Sequence, residues 1–156
     1  MMVRSTKRIR ICIALLCCNL AFIWGNSLLP GEISGALSDW LKALLAPLFG
    51  MEEGAPGGGG LLRKIAHFTE FMTLGLCLRW LWGMLLPKLP KQLLCSLGAA
   101  FVTACIDETI QMFVPDRGPG IKDVMIDTAG AVVGIMILTA IHYQKTKSKL
   151  LEENKL

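Results

Sequence analysis

The sequence predicts an all-α integral membrane protein with four transmembrane helices and an amphipathic interfacial helix in the first outer loop. Three observations support this fold class. Of the 156 residues, 53% are hydrophobic, which is high for a soluble domain. Several apolar stretches approach the roughly 20 residues that a helix needs to cross a bilayer, and Lys and Arg gather beside their ends. We place the spans at about 9–27, 64–86, 92–114 and 121–142, in one domain covering residues 1–156.

The first span follows a basic segment, so it could be mistaken for a signal peptide. Arg4, Lys7, Arg8 and Arg10 precede its apolar run. No small-x-small cleavage pattern comes after that run, and the segment 26–30 resembles the end of a span. We therefore expect the first span to remain attached.

Lys and Arg also predict the orientation, because they accumulate on the cytoplasmic side. Ten of the 16 lie in the N-terminal segment, the 87–91 turn and the tail after the fourth span. The loop 28–60 carries only Lys42 against four acidic residues, so we place it outside. With four spans, both termini then face the cytoplasm. The net charge of +4 reflects this topology and does not indicate nucleic-acid binding.

The first outer loop carries the predicted interfacial helix, over about residues 33–49. Its leucines and Ile33 recur at helical spacing, and Pro47 and Gly50 mark its end. The apolar face lies either in lipid or against the bundle. The glycine run 57–60 then predicts a linker, passive or acting as a hinge.

The glycines of the spans, the cysteines and Arg79 have structural explanations. Gly98, Gly130 and Gly134 suit close approach of membrane helices. All six cysteines fall within predicted spans, as small packing residues and not as disulfide partners. Arg79, beside Trp80 and Trp82, fits the inner membrane interface.

A polar stripe runs into the bilayer along the second span. Arg63, His67 and Glu70 share one helix face, and Lys64 flanks them. A histidine and a carboxylate one turn apart can orient each other, share a proton or bind a cation. The same spacing also occurs where a carboxylate only caps a histidine.

The third span ends in Asp107, Glu108 and Gln111. Adjacent carboxylates at membrane depth repel each other, so they need protonation or a basic partner. We predict Glu108 as the inward residue, because Gln111 shares its helix face, with Asp107 as the alternative.

The fourth span opens with Asp123, and Asp127 follows one turn later on the same face. Asp127 needs a partner, for which Arg63, Lys64 and Arg117 are candidates. Arg117 lies in a stiff turn and suits either an anionic headgroup or an internal ion pair.

The outer cluster has a formal charge of −2, from Arg63, Lys64, Arg117 and Lys122 against Glu70, Asp107, Glu108, Asp116, Asp123 and Asp127. This excess leaves room for a divalent cation or shared protons, although a salt-bridge network is the alternative. The candidate metal ligands are His67, Glu70, Glu108 and Asp123, and the candidate general bases are His67 and Glu108.

Four motifs in order resemble the VanZ-like family of small bacterial membrane proteins. They are NSLLPGE at 26–32, RKIAHFTEF at 63–71, DETIQMFVP at 107–115 with Arg117, and DVMIDTAG at 123–130. The family pattern implies a glycine before the arginine, where this chain has Asp116. The motifs map onto ligand-binding candidates Arg63, Lys64, His67, Glu70, Asp107, Glu108, Gln111, Arg117, Asp123 and Asp127.

The resemblance implies a cell-envelope protein of a family associated with reduced susceptibility to the lipoglycopeptide teicoplanin. Our leading hypothesis is that the outer cluster binds an anionic envelope lipid or a lipid-linked cell-wall precursor. A second hypothesis is a membrane hydrolase or transferase acting on polyprenyl-phosphate-type lipids. A third is an accessory scaffold in which the polar residues only hold the span ends together.

Overall fold

The structure is a computed structural model, and it describes residues 6–49, 58–118 and 120–153. These residues form five α-helices and contain no β-strand. The helices are α1 (Thr6–Ser27), α2 (Gly31–Phe49), α3 (Gly58–Leu85), α4 (Leu89–Gln111) and α5 (Ile121–Glu153). The predicted all-α class is therefore confirmed.

Prolines explain several helix ends. Pro30 stands just before α2, and its carbonyl accepts the Ser34 N–H at the start of that helix. Pro90 lies in the first turn of α4, where its missing N–H removes no helical hydrogen bond. Pro115 disfavours helical geometry in the residue before it. Helix α4 stops at Gln111, three residues before the end of the predicted third span at about 92–114.

Helix α3 lies at the centre of the bundle and packs most extensively on α5. A side chain at Gly130 or Gly134 would meet the α3 backbone carbonyls of Phe68 or Met72, and one at Gly75 would meet the Ala131 carbonyl of α5. These glycines let the two backbones approach closely, as predicted for Gly130 and Gly134. Gly98 is different, because a Cβ added there would meet nothing within 4 Å.

Three helices are long and apolar enough to cross a membrane, namely α1, α4 and α5. Helix α3 has 28 residues but is not one of them. It carries the charged residues Arg63, Lys64, Glu70 and Arg79. Many large apolar side chains, including Phe22 and Leu94, point outward and are exposed. The chain is thus a membrane protein with three candidate spans, and the four-span topology stays a prediction.

The other segments refine the sequence analysis. Helix α2 packs on α3 and leaves Ile33, Leu37 and Trp40 exposed, while its place at the membrane interface stays a prediction. Residues 50–57 lie outside the described part, but Gly58–Gly60 form the first turn of α3 and are not an extended linker. Helix α5 continues past the predicted span end at 142 to Glu153.

All six cysteines are free, as predicted. Arg79, expected at the inner interface, is 4% exposed and donates from Nε to Thr139 Oγ1 of α5, at 2.9 Å. It therefore links α3 to α5 within the bundle, while its position at the inner membrane interface stays a prediction.

Candidate functional site

The predicted polar residues gather at one end of the bundle. The C-terminal ends of α1 and α4 meet there with the N-terminal parts of α3 and α5 and with residues 112–118 and 120. The stripe predicted on α3 faces this cluster. His67 is 6% exposed and Glu70 is 9% exposed, so both are buried among the neighbouring helices.

Two residues of the α3 stripe are tied to neighbouring helices by hydrogen bonds. Arg63 donates from Nη2 to Gln111 Oε1 of α4, at 2.7 Å. Glu70 Oε1 accepts from Asn26 Nδ2 of α1, at 2.9 Å. A charged donor or acceptor makes each of these bonds stronger than a neutral one. They fix the ends of the stripe and leave His67 between them.

Asp107 is the innermost carboxylate of α4. Its side chain is fully buried, with Oδ1 accepting from Ser27 Oγ at 2.7 Å and Oδ2 accepting from Gln111 Nε2 at 2.9 Å. Glu108 was the predicted inward residue, but it lies nearer the turn, where Oε2 accepts from the Gly120 N–H at 2.8 Å. Both side chains face the cluster, and Asp107 is the deeper one.

Asp127 of α5 is also fully buried. Its nearest basic partner is His67, with Nδ1 at 3.5 Å from Oδ1. Within the described part of the chain, no Lys or Arg nitrogen lies within 4.0 Å of this carboxylate, so Arg63, Lys64 and Arg117 are not the ion-pair partners that the sequence suggested. Asp123 lies in the first turn of α5, as expected.

Arg117 holds the turn between α1 and α2. Its Nε donates to the Leu29 carbonyl at 2.9 Å and its Nη2 to the Asn26 carbonyl at 2.8 Å. Burial lowers the pKa of the Arg117 guanidinium, and the positive charge of Arg63 lowers it further. The side chain thus binds backbone carbonyls at the end of α1, where a cation is favourable.

The cluster surrounds a polar cavity of about 140 Å³. Arg63 and Lys64 line it together with three carboxylates. Seven of the ten predicted ligand-binding residues reach this cavity, whereas Glu70, Asp107 and Arg117 do not line it. The lining consists of Gly60, Arg63, Lys64, His67, Glu108, Gln111, Gly118, Asp123, Ile126 and Asp127.

An apolar groove of about 420 Å³ adjoins the polar cavity, between α1, α2 and α3. Arg63 lines both spaces, and Glu70 lines the groove. Its apolar walls include Phe22, Leu37 and Leu62. The groove was not predicted, because the hydropathy of separate segments does not show where three helices diverge.

Asn26 and Ser27 are polar residues of the cluster that were not among the predicted site residues. Each donates to a buried carboxylate, on Glu70 and Asp107 respectively. Both belong to the first resemblance motif, which was the available signal, although their position at a helix end suggested only the end of a span.

The chain matches the model of a known protein family. A family model described as VanZ/LLP1 matches residues 11–142, a range that covers most of the chain and contains all four motifs. Comparisons with curated proteins and with solved structures found no match.

Proposed function

The chain belongs to the VanZ/LLP1 family, and we propose that it is a bacterial membrane protein linked to teicoplanin resistance. We propose further that it binds an anionic envelope lipid through the phosphate of the lipid headgroup. The observation that carries this proposal is the position of Arg63, which lines both the polar cavity and the apolar groove. A lipid needs a polar space for its headgroup beside an apolar space for its chain. The two spaces meet at Arg63.

The size of the polar cavity limits which part of a ligand it accepts. Pockets for drug-sized ligands measure roughly 300–1,000 Å³, whereas this cavity measures about 140 Å³. It suits a phosphate-sized group with a few waters and is too small for a sugar-peptide headgroup. We therefore place the lipid phosphate in the cavity and the first part of the chain in the groove.

The basic side chains supply the contacts. A guanidinium has five N–H donors in a planar fork, so Arg63 can hold Gln111 and still bind a phosphate oxygen. Lys64 adds a second positive charge at the exposed side of the cavity. Arg117 already binds two backbone carbonyls, so we give it a supporting role.

The test is native mass spectrometry of the purified protein with a polyprenyl phosphate and with the matching uncharged polyprenol. We expect the phosphate to bind and the alcohol to bind at least about tenfold more weakly, since hydrogen bonds to charged groups contribute roughly 1.5–3 kcal/mol. Arg63→Gln should reduce phosphate binding by a similar factor.

The matched control is Lys91→Gln, which removes one positive charge from an exposed position in the first turn of α4, at the other end of that helix from Gln111. It should bind the phosphate as the unaltered protein does. Equal binding of phosphate and alcohol, or undiminished binding by Arg63→Gln, would contradict the proposal.

Catalysis on the same lipid is a second candidate, because both predicted bases, His67 and Glu108, line the polar cavity. The same spectra test it. A lipid whose mass changes with the unaltered protein but not with Glu108→Gln would identify an enzyme, whereas retention of unchanged lipid would identify a binding protein.

A further inference from the structure

Three buried side chains from three helices converge beside the polar cavity. They are His67 of α3, Asp107 of α4 and Asp127 of α5, and we call them the His-Asp-Asp triad. One ligand atom from each, a histidine nitrogen or a carboxylate oxygen, lies within 4.8 Å of the other two. His67 and Asp127 also line the cavity, so the triad is open to it on one side.

Direct contacts with the described residues leave two members of the triad, His67 and Asp127, without hydrogen bonds at the atoms that face each other. His67 Nδ1 lies 3.5 Å from Asp127 Oδ1 and 3.8 Å from Asp107 Oδ2, beyond the usual hydrogen-bond length of about 2.7–3.2 Å. Neither Asp127 oxygen nor His67 Nδ1 has a hydrogen-bond partner among the described residues. Asp127 is fully buried, and a buried carboxylate without a partner is costly.

The spacing agrees with three ligands of one small cation. Zinc binds histidine nitrogen and carboxylate oxygen at about 2.0–2.2 Å, so two ligands of a tetrahedral ion lie roughly 3.3–3.6 Å apart. The two distances from His67 Nδ1, 3.5 and 3.8 Å, are close to that edge. The third pair of ligand atoms, one oxygen from each carboxylate, lies within 4.8 Å.

Asp107 is oriented as a metal-binding carboxylate usually is. Ser27 Oγ and Gln111 Nε2 donate to its two oxygens, at 2.7 and 2.9 Å. Such outer partners fix the direction of a ligand oxygen. The two carboxylates carry a charge of −2, which a divalent cation balances inside the bundle.

We propose that the His-Asp-Asp triad binds Zn²⁺ or Mn²⁺, with the cavity supplying the remaining ligands of the ion as water or a ligand oxygen. One imidazole with two carboxylates suits Zn²⁺ or Mn²⁺. Only His67 belongs to the ligand set predicted from the sequence. The triad stands as a metal site whether or not the cavity binds a lipid.

The test measures metal bound to the full-length protein in detergent. After treatment with a chelator, the protein is incubated separately with Zn²⁺ and with Mn²⁺, desalted and analysed by inductively coupled plasma mass spectrometry. We expect about one equivalent of at least one of these ions in the unaltered protein. Asp127→Asn and His67→Gln should each weaken binding by tenfold or more, and Ser27→Ala by roughly 10–100-fold through Asp107.

Two further variants make the test specific. Asp39→Asn removes an exposed carboxylate of α2 and should leave metal binding unchanged. Asp123→Asn alters a cavity residue outside the triad and should retain the ion, which separates the triad from the sequence-predicted ligand set. Equal losses in Asp123→Asn and Asp127→Asn would overturn the assignment of the ligands.

A thermal measurement on the unaltered protein does not depend on how well a variant folds. A ligand that binds only the folded state raises the unfolding temperature. We expect the same ion to raise it in the unaltered protein and not in Asp127→Asn. If the unaltered protein retains neither ion and shows no shift, the metal site is refuted and the triad is a proton-sharing cluster.

Discussion

Asp116 has a backbone conformation that favours glycine. Its φ angle is +57°, in the left-handed region, where residues with a Cβ are disfavoured by roughly 1–2 kcal/mol. The family pattern implies glycine at this position. The turn brings the Asp116 carbonyl against Gly31 at the start of α2, while the Gly31 N–H donates to the Pro115 carbonyl at 3.0 Å. The conformation at Asp116 thus positions the turn that carries Arg117.

Substitutions at Asp116 test this conformation. We expect Asp116→Gly to keep or slightly raise the unfolding temperature, because relief of the backbone conformation outweighs the roughly 0.4–1 kcal/mol entropic cost of glycine. Asp116→Val should lower the free energy of unfolding by about 1 kcal/mol or more, since a β-branched residue tolerates this region poorly. Thermal unfolding followed by tryptophan fluorescence measures both. A valine variant as stable as the glycine variant would contradict the expectation.

Single residues also show the limit of sequence reasoning at the site. Glu108 was predicted to face inward because Gln111 shares its helix face, yet Gln111 Nε2 lies 2.9 Å from Asp107 and 3.3 Å from Glu108. A long side chain reaches both carboxylates, so helical spacing could not rank them. Contact with Ser27 of another helix places Asp107 deeper, and that contact joins residues 80 positions apart.

At the level of helices, the α3–α5 contact depends on glycines that permit close approach. Gly130 and Gly134 are four residues apart and lie against α3 carbonyls. The sequence predicted this use of small residues, because one face of α5 repeats them. It could not identify the partner helix or the matching Gly75, since neither follows from spacing along α5.

Alanine substitutions test this contact. Gly134→Ala should destabilise the protein by roughly 1–3 kcal/mol, because its Cβ would meet the Met72 carbonyl and force the helices apart. The matched control is Gly98→Ala in α4, where a Cβ meets nothing within 4 Å. It should be neutral or stabilising by up to about 1 kcal/mol. The unfolding temperatures of the two variants in detergent measure these effects. Equal effects at the two positions would refute the close-approach explanation.

For the whole molecule, the sequence predicted the all-helical class and the gathering of polar residues at one end of the bundle. Both followed from the order of apolar stretches and from the cost of burying charge. The His-Asp-Asp triad and the groove beside Arg63 could not be predicted in the same way. They depend on how α3, α4 and α5 pack around one point, and on the angle between α1, α2 and α3.

An outward-facing cavity is the premise of lipid recognition at this site, and cysteine labelling in intact cells tests it most directly. The six native cysteines, all free, are first replaced, and one cysteine is introduced by Gly118→Cys at the cavity or by Ser148→Cys near the end of α5. A membrane-impermeant maleimide should label position 118 in intact cells and position 148 only after permeabilisation. Labelling of position 148 alone in intact cells would place the cavity on the cytoplasmic side and contradict the proposed function.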